Sequence, residues 1–413
     1  MTDATATTDR LTTLDGLRGV AVMGILLINI PMFALIDAAM FNPLAQGGDR
    51  PVDIFAWAVN FVLAEGKMRN LFSLLFGASL LLVVQRADAA GESGARVHYT
   101  RMAWLAVFGA VHLYLIWFGD ILLHYAIIGS IAYLFRNALP RTLVVAAVIL
   151  LIIEMLIGLG GAAAMNAARA AAESPGASAA TIAGWTEFNN GLGLPDAATL
   201  ARDRALYQSG YTTIVGNRIE EGGNVVLLLI VLGFETLGMM LLGMAAFKTG
   251  FVTGAWPRAR YRRVVQIGYG VGIPAMITLA SWLIMVRFDP VATFAATQGL
   301  SAIVRPLIMF AHASVVILWL TGGTSALRER VNATGRMAFS NYLGTSLLMT
   351  ALFYGWGARL YGELGRADLY LVVPLVWVLM LLWSKPWLDR FRYGPLEWLW
   401  RSLARGKSQP MRK

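Results

Sequence analysis

Apolar residues run along this chain in long, nearly unbroken stretches. They do not alternate as in a half-buried strand, nor form the narrow stripe of a surface helix. Ten stretches read as helices able to cross a bilayer: 16–36, 54–85, 102–118, 120–136, 142–162, 224–247, 264–286, 300–320, 337–357 and 369–385. At ~1.5 Å per residue, about 20 apolar residues span a hydrocarbon layer roughly 30 Å thick. Lipid offers no partner to backbone N–H and C=O groups, so such stretches must pair them internally as α-helix. The expected fold is therefore all-α, a polytopic bundle of about ten transmembrane helices. The second stretch is overlong and holds Glu65, Gly66, Lys67 and Arg69, which predicts a broken or steeply tilted helix.

Between the runs, polar segments set the organisation. The polar Met1–Thr13 segment and the long apolar run after it do not fit a cleavable signal. Residues 163–223 separate an N-terminal transmembrane half, 1–162, from a C-terminal half, 224–413, that ends in a basic amphipathic tail. The alanine-rich start of this loop can continue a helix until Ser174-Pro175-Gly176 breaks it, and Asn189-Asn190-Gly191 and Leu194-Pro195 add turn signals. It reads as an extracytoplasmic loop, either a lid or a plain connector. The halves share no convincing sequence repeat, so inverted-repeat transport architecture is not expected.

Composition sharpens this picture. Charged residues make up 14% of the chain, hydrophobic residues 57%, and mean hydropathy is +0.62, which excludes a soluble enzyme, a coiled coil and a disordered chain. A net charge of +10 in a soluble protein would suggest nucleic acid. Here it fits basic loops on the cytoplasmic face, and no nucleic-acid partner is expected. With both termini cytoplasmic, the inside segments hold 23 Lys and Arg and the outside segments 9, the other two of the 34 lying in the second run. That asymmetry orients the chain and requires an even number of crossings. Cys is absent, which removes disulfides and thiolate chemistry, and four His make no rich metal site, so no metal is expected.

Ionisable groups inside apolar runs are costly in lipid and face the protein interior. Glu65 and Arg69, four apart, would pair on one helix face. Lys67 and Asn70 beside them leave room for an anionic ligand, or the group is a self-neutralising packing element. His112 lies ~9 Å inside the outer boundary of its run and can handle a proton. Asp120 is eight residues on, about 80° away on a straight helix, so the two do not form a helical dyad. Gly119-Asp120 reads instead as a tight hairpin, after which Asp120 and His124 share a face. Asp120 as an N-cap and His112 as a hydrogen-bonded packing residue are the plain alternatives. At the cytoplasmic mouth, Asp15 and Arg18 share a face. Thr12 or Thr13 can cap the first helix there, while Arg18 can meet an anionic ligand and Asn29 lies deeper. Glu154, Glu235 and His312 are isolated intramembrane groups, and Gly233 and Gly238 make Glu235 the most accessible to neighbouring helices. No Walker loop, GxSxG elbow or HExxH motif is present. Gly335–Tyr342 opens a late run, and Phe391–Arg401 has the aromatic and Arg pattern of an interfacial anchor.

Taken in order, these clusters resemble the YeiB-like domain-of-unknown-function 418 family of bacterial membrane proteins. The matching pieces are Leu14–Gly19 with Gly24–Asn29, Gly66–Gly77, His112–Ala126 with Trp117-Phe118-Gly119-Asp120, Gly335–Tyr342 and Phe391–Leu403. The family is similar to a distant branch of the membrane acyltransferase superfamily, which includes heparan-alpha-glucosaminide N-acetyltransferase, and Leu14–Gly19 matches that group's LDxxRG-like opening. The resemblance implies a bacterial inner-membrane protein. It would move an acyl group from cytoplasmic acyl-CoA, acetyl-CoA among the candidates, to a glycan, lipid or small-molecule acceptor at or beyond the membrane. The superfamily's essential histidine maps most naturally to His112. On this reading His112 and Asp120 are catalytic, and Asp15, Arg18, Lys67 and Arg69 hold acyl-CoA, a co-substrate rather than a bound cofactor. Asn29, Glu65, Asn70, Trp117, His124 and Glu235 contact the substrate. The cytoplasmic donor and the outward His112 leave a distance to bridge, by the pantetheine arm or the broken second helix. A transporter or flippase for a lipid, glycan precursor or small anion is the rival use of the same buried groups, and a structural or regulatory membrane subunit is the third; a homo-oligomer is compatible with each.

Overall fold

The computed structural model describes residues 2–48, 50–221 and 225–413, with side chains placed from residue 12 onward except at 225–228. The expected boundary between loop and C-terminal half, at 223 and 224, lies outside the described residues. Among those described the fold is all-α, without a strand; one isolated bridge joins Phe391 to Arg412.

The helices run in chain order as α1 (Thr2–Ala34), α2 (Pro51–Leu63), α3 (Lys67–Ala89), α4 (Gly94–Val111), α5 (Leu122–Ala132), α6 (Pro140–Glu173), α7 (Ala179–Leu192), α8 (Ala197–Tyr207) and α9 (Tyr211–Glu221). They continue with α10 (Val225–Lys248), α11 (Arg258–Met285), α12 (Pro290–Phe294), α13 (Arg305–Leu320), α14 (Ala326–Arg336), α15 (Ala338–Phe353), α16 (Arg366–Arg390) and α17 (Pro395–Arg405). Among the described residues seven are long and apolar enough to cross a membrane, with α2 and α3 counted together over Pro51–Ala89. Pro290–Ile303 and Arg305–Leu320 make an eighth if their 55° bend is taken as one broken crossing. The two remaining runs form shorter helices: Leu122–Phe135 and the 16-residue α15, only ~24 Å long.

Two sequence expectations change and a third is met. Helix α1 reaches back to Thr2, so Thr12 and Thr13 lie inside it and are not its N-caps. Helix α6 extends from Pro140 through Glu173, as the Ala-rich stretch allowed, and stops at Ser174-Pro175. The loop beyond it folds into α7, α8 and α9, which cap one end of the bundle. Tyr211 donates to the Leu115 carbonyl (2.8 Å) and the Asn42 amide to that of Gly193 (2.9 Å).

The bundle has two distinct ends. At one, Lys248 donates to the carbonyls of Arg136 and Ala138 (2.8 and 2.6 Å), tying the end of α10 to the α5–α6 turn. Here α17 lies against α4, with the Trp400 indole donating to the Arg101 carbonyl (3.0 Å). At the other end Gly362 N–H donates to Ala34 O (2.8 Å), Arg50 pairs with Asp53 and Asp368 (2.8 and 2.6 Å), and Arg169 pairs with Asp289 (2.5 Å). The start of the first crossing and the α17 tail share the first end. Helices α3 and α10 cross closely because Gly77 meets the Met240 backbone and Gly243 meets that of Leu74, each within ~2 Å of where a Cβ would stand.

Candidate functional site

A cavity of ≈ 440 Å³ opens at the first end, between α1, α3, α4, α14, α15 and α17. Its mouth carries Arg86, Arg101, Arg336, Arg392 and Arg401, and Arg18 lies farther along α1. Against these stand Asp15, which pairs with Arg18 (2.8 Å), and Glu397, which is engaged elsewhere. Arg18 also donates to Ser79 (2.9 Å). Glu397 accepts from the backbone N–H groups of Phe339 and Ser340 (2.8 and 3.0 Å) and from the Ser340 hydroxyl (2.5 Å), pinning α17 to the N-terminus of α15. Burial raises its carboxyl above the ordinary range, against the hydrogen bonds from Ser340. Below this mouth the walls turn apolar and aromatic, with Phe72, Phe76, Leu105, Ile121, Tyr125 and Tyr342.

Behind that inner end lies a His–Asp pair. His112 Nδ1 and Asp120 Oδ1 are 2.8 Å apart, and both side chains are buried. The hairpin brings together what a straight helix would hold apart. Helix α4 ends in a π-type turn over His112–Ile116, Trp117 is extended (φ −156°), and α5 returns against α4. Gly109 permits that return, since a Cβ there would lie 2.3 Å from the Leu123 backbone. The second Asp120 oxygen accepts from Leu123 N–H (2.8 Å), so Asp120 is both helix cap and histidine partner. A carboxylate only accepts, which places a proton on Nδ1; in the neutral imidazole the lone pair is then on Nε2. That Nε2 is buried with no partner, as is the Trp117 indole N–H. The His112 ring lies 6.1 Å from that of Trp117 and 5.3 Å from that of Tyr342, a cavity wall residue. Trp117 itself stacks on Phe33 at 3.9 Å.

A second polar group sits deep in the bundle where two broken helices meet. Gly66, at φ +71°, interrupts the second run between α2 and α3. The expected Glu65–Arg69 pair does not form, because the break removes the helical register that would align them. Arg69 instead bonds Glu235 on α10, and Glu65 faces Arg305 (3.4 Å), the first residue of α13. Arg305 also bonds Glu235 (3.3 Å) and the Thr297 carbonyl, and Asn70 donates to Glu235 (2.9 Å). Glu154 accepts from the Glu235 backbone N–H (3.2 Å). Lys67, fully buried, donates to the Phe61 carbonyl at the break (2.6 Å).

Comparison with known proteins places this architecture. The profile of a family described as "Protein of unknown function (DUF418)" matches residues 246–407. The Escherichia coli (strain K12) protein YeiB is 33% identical over 405 residues, covering 96% of both chains. The chain belongs to the YeiB-like DUF418 family. The Bacillus subtilis (strain 168) protein YxaH is 29% identical, covering 99% of this chain and 98% of its own. A 39.9 kDa Bacillus acidopullulyticus protein is 22% identical over similar shares. No solved structure matches the chain.

Within this member of the DUF418 family the expected residues divide between the two centres. Asp15 and Arg18 line the cavity, and His112, Asp120 and Trp117 form the buried centre behind it. Lys67 and Arg69 do not join Arg18 in the cavity; they belong to the deep network with Glu65, Asn70 and Glu235, held there by carboxylates and carbonyls. His124 does not partner Asp120: its Nε2 bonds Thr236 on α10 (3.0 Å). Asn29 is half-buried on α1 and hydrogen-bonds to neither centre. His312 is a packing residue between Tyr269 and the Leu63 carbonyl (2.7 and 2.8 Å). Sequence reasoning missed Arg305, which lies inside the 300–320 run with no spacing signal that ties it to Glu65 or Glu235. It also missed the mouth arginines, scattered over α3, α4, α14 and the tail, which only packing gathers.

Proposed function

We propose that this protein is a membrane acyltransferase that takes an acyl group from acyl-CoA at the cytoplasmic face and delivers it to an acceptor at or beyond the membrane. The observation that carries the reading is the His112–Asp120 pair, with Nε2 free, behind the inner end of a cavity whose mouth is ringed by arginines. The phosphates of CoA need several cations, and arginine binds phosphate oxygens in a planar fork. Arg86, Arg101, Arg336, Arg392 and Arg401 supply them at the mouth. The narrowing apolar cavity suits the pantetheine arm and thioester. His112 is eleven residues beyond Arg101, ~16 Å deeper along α4, which is the distance that arm has to bridge.

In this mechanism His112 Nε2 removes the proton from an acceptor hydroxyl or amine as that group attacks the thioester carbonyl. The C–S bond breaks, and the CoA thiolate leaves with the proton returned from His112. Asp120 holds the imidazole in the required tautomer and stabilises its charged form, a positioning role. Tyr342 and Trp117 close the reacting centre from either side. The Lys+Arg excess at the mouth's end of the bundle supports a cytoplasmic placement of that end, in what this reading takes as a bacterial inner membrane.

The test is ligand-dependent melting of the purified protein with acetyl-CoA, longer acyl-CoAs and free CoA, followed by acyl transfer to candidate acceptors. Thioesters should raise the melting temperature, and the Arg101→Gln/Arg336→Gln variant should lose the shift. A folded sample unmoved by every thioester sinks the reading. Transport is the second reading, favoured by the meeting of two broken helices at Glu65, Arg305 and Glu235. Substrate flux into proteoliposomes that survives His112→Ala would favour it instead.

A further inference from the structure

A second cavity lies on the lipid-facing side, apart from both centres. Helix α6 packs along α10 and α11 along α13, while α3 stands behind and joins the two pairs. Their seam stays open as a groove of ≈ 570 Å³, within the range of ligand pockets. Small residues create the room: Ala245 and Ala246 on α10, and Gly268 on α11 where it approaches the Leu307 backbone. Val144, Val145 and Ile267 along its edges are exposed, so the groove opens to the bilayer core.

The polar side chains in its wall are four. The Thr249 hydroxyl donates to the Ala245 carbonyl (2.8 Å), and the Trp256 indole donates to the Thr249 carbonyl (2.8 Å). Arg141 and Arg260 remain, both at the rim, both exposed, and neither in a hydrogen bond or ion pair among the described residues. Arg260 lies over the Trp256 ring at 3.5 Å, the usual pairing of interfacial aromatic and cation. From Arg260 to Gly268 the groove runs ~12 Å into the membrane. It is thus an apolar slot with two uncompensated guanidinium groups at headgroup level.

We propose that this groove binds one anionic phospholipid of the adjoining leaflet, with its phosphate between Arg141 and Arg260 and an acyl chain along the α10–α11 seam. Charge chooses the occupant. A zwitterionic lipid brings its own cation to the rim, and a second copy of the chain across a twofold axis would set like rims against each other. The site is independent of acyl transfer and stands whether or not the cavity takes CoA.

The test is native mass spectrometry of the full-length protein titrated with phosphatidylglycerol and with phosphatidylcholine of identical chains. Wild type should retain phosphatidylglycerol about tenfold more tightly, on the scale of juxtamembrane arginine–lipid attraction. Arg141→Gln/Arg260→Gln should lose that preference. Arg141→Gln alone breaks no hydrogen bond or ion pair among the described residues and should lower it partway. Arg262→Gln/Arg263→Gln, at the same end but outside the groove, should keep it. Equal retention of the two lipids, a preference unchanged by the rim variant, an equal loss in the Arg262/Arg263 control, or a stable dimer without lipid would each overturn the proposal.

Discussion

At the scale of single residues, His112 and Asp120 illustrate how a side chain's neighbours decide its chemistry. A histidine in an apolar run is most simply a satisfied packing residue, and half of this one is: Nδ1 has its carboxylate at 2.8 Å. The other nitrogen has nothing, and an unpaired buried acceptor costs about 1–3 kcal/mol. Such a cost is kept where the lone pair has work to do. On the proposed acyl-transfer function, Asp120→Asn should preserve binding of the thioester while cutting turnover by about 10²-fold or more, since an amide cannot enforce the tautomer or balance the imidazolium. Equal turnover for Asn and Asp in a kcat measurement would reduce Asp120 to a helix cap. A separate group of carboxylates lies outside the membrane segments, in the α7–α9 cap. Burial, aided by Glu221, pushes Asp203 up to about 6 although the Tyr361 hydroxyl at 2.6 Å opposes it. A folded-state value raised from 3.8 means the native cap holds a proton that the unfolded chain gives up. Its stabilising contribution is therefore complete below about pH 4 and lost as the pH rises through about 6. Melting temperature followed over that range should fall, and the fall should shrink in Asp203→Asn.

At the scale of elements, breaks matter more than helices. The interruption at Ala64–Gly66 puts Glu65 and Arg69 on different partners, and the bend before α13 brings Arg305 to meet them. Gly66→Ala faces two penalties at once: its φ of +71° is unfavourable for a side chain, and a Cβ would stand 2.4 Å from the Arg305 side chain. A loss of about 2 kcal/mol or more is expected from strain and displaced Arg305. Denaturation in detergent reads it, and wild-type stability for this variant would mean that Gly66 is only a convenient linker. Helix α17 depends on another local device. Three donors of α15 converge on Glu397, so Glu397→Ala should cost about 1–2 kcal/mol and free the helix from the cavity mouth. Faster proteolysis of the tail, with weaker thioester protection, is the expected signature.

At the scale of the whole molecule, the two ends differ in charge and in covering. One gathers the basic loops, the cavity mouth and the amphipathic tail; the other is roofed by α7, α8 and α9. Because the chain has no Cys, single cysteines report sidedness cleanly. Glu92→Cys, in the turn between α3 and α4, should react with an impermeant maleimide only after the cells are opened. Ser174→Cys, in the turn after α6, should react in intact cells. The reverse pattern would invert the topology and with it the direction of the proposed acyl delivery.

How far the sequence reaches follows from the range of each force. Hydropathy acts over ~20 residues, and run length alone therefore determined the all-α membrane bundle, while loop charge predicted its orientation. The break in the second run was legible because Gly66 and three polar neighbours interrupt an apolar stretch. Polar residues in costly places pointed to His112, Asp120 and Glu235 for the same reason. Partnership was not legible. Glu65 and Arg69 looked paired by spacing and are not, while His112 and Asp120 looked separated by spacing and are joined. Arg305 and the mouth arginines lie from 9 to 315 positions apart in the chain, and nothing local ties them together. Only tertiary packing, acting through glycine-permitted close approaches at Gly66, Gly77 and Gly109, decided which charges neutralise one another and which remain free to meet a ligand.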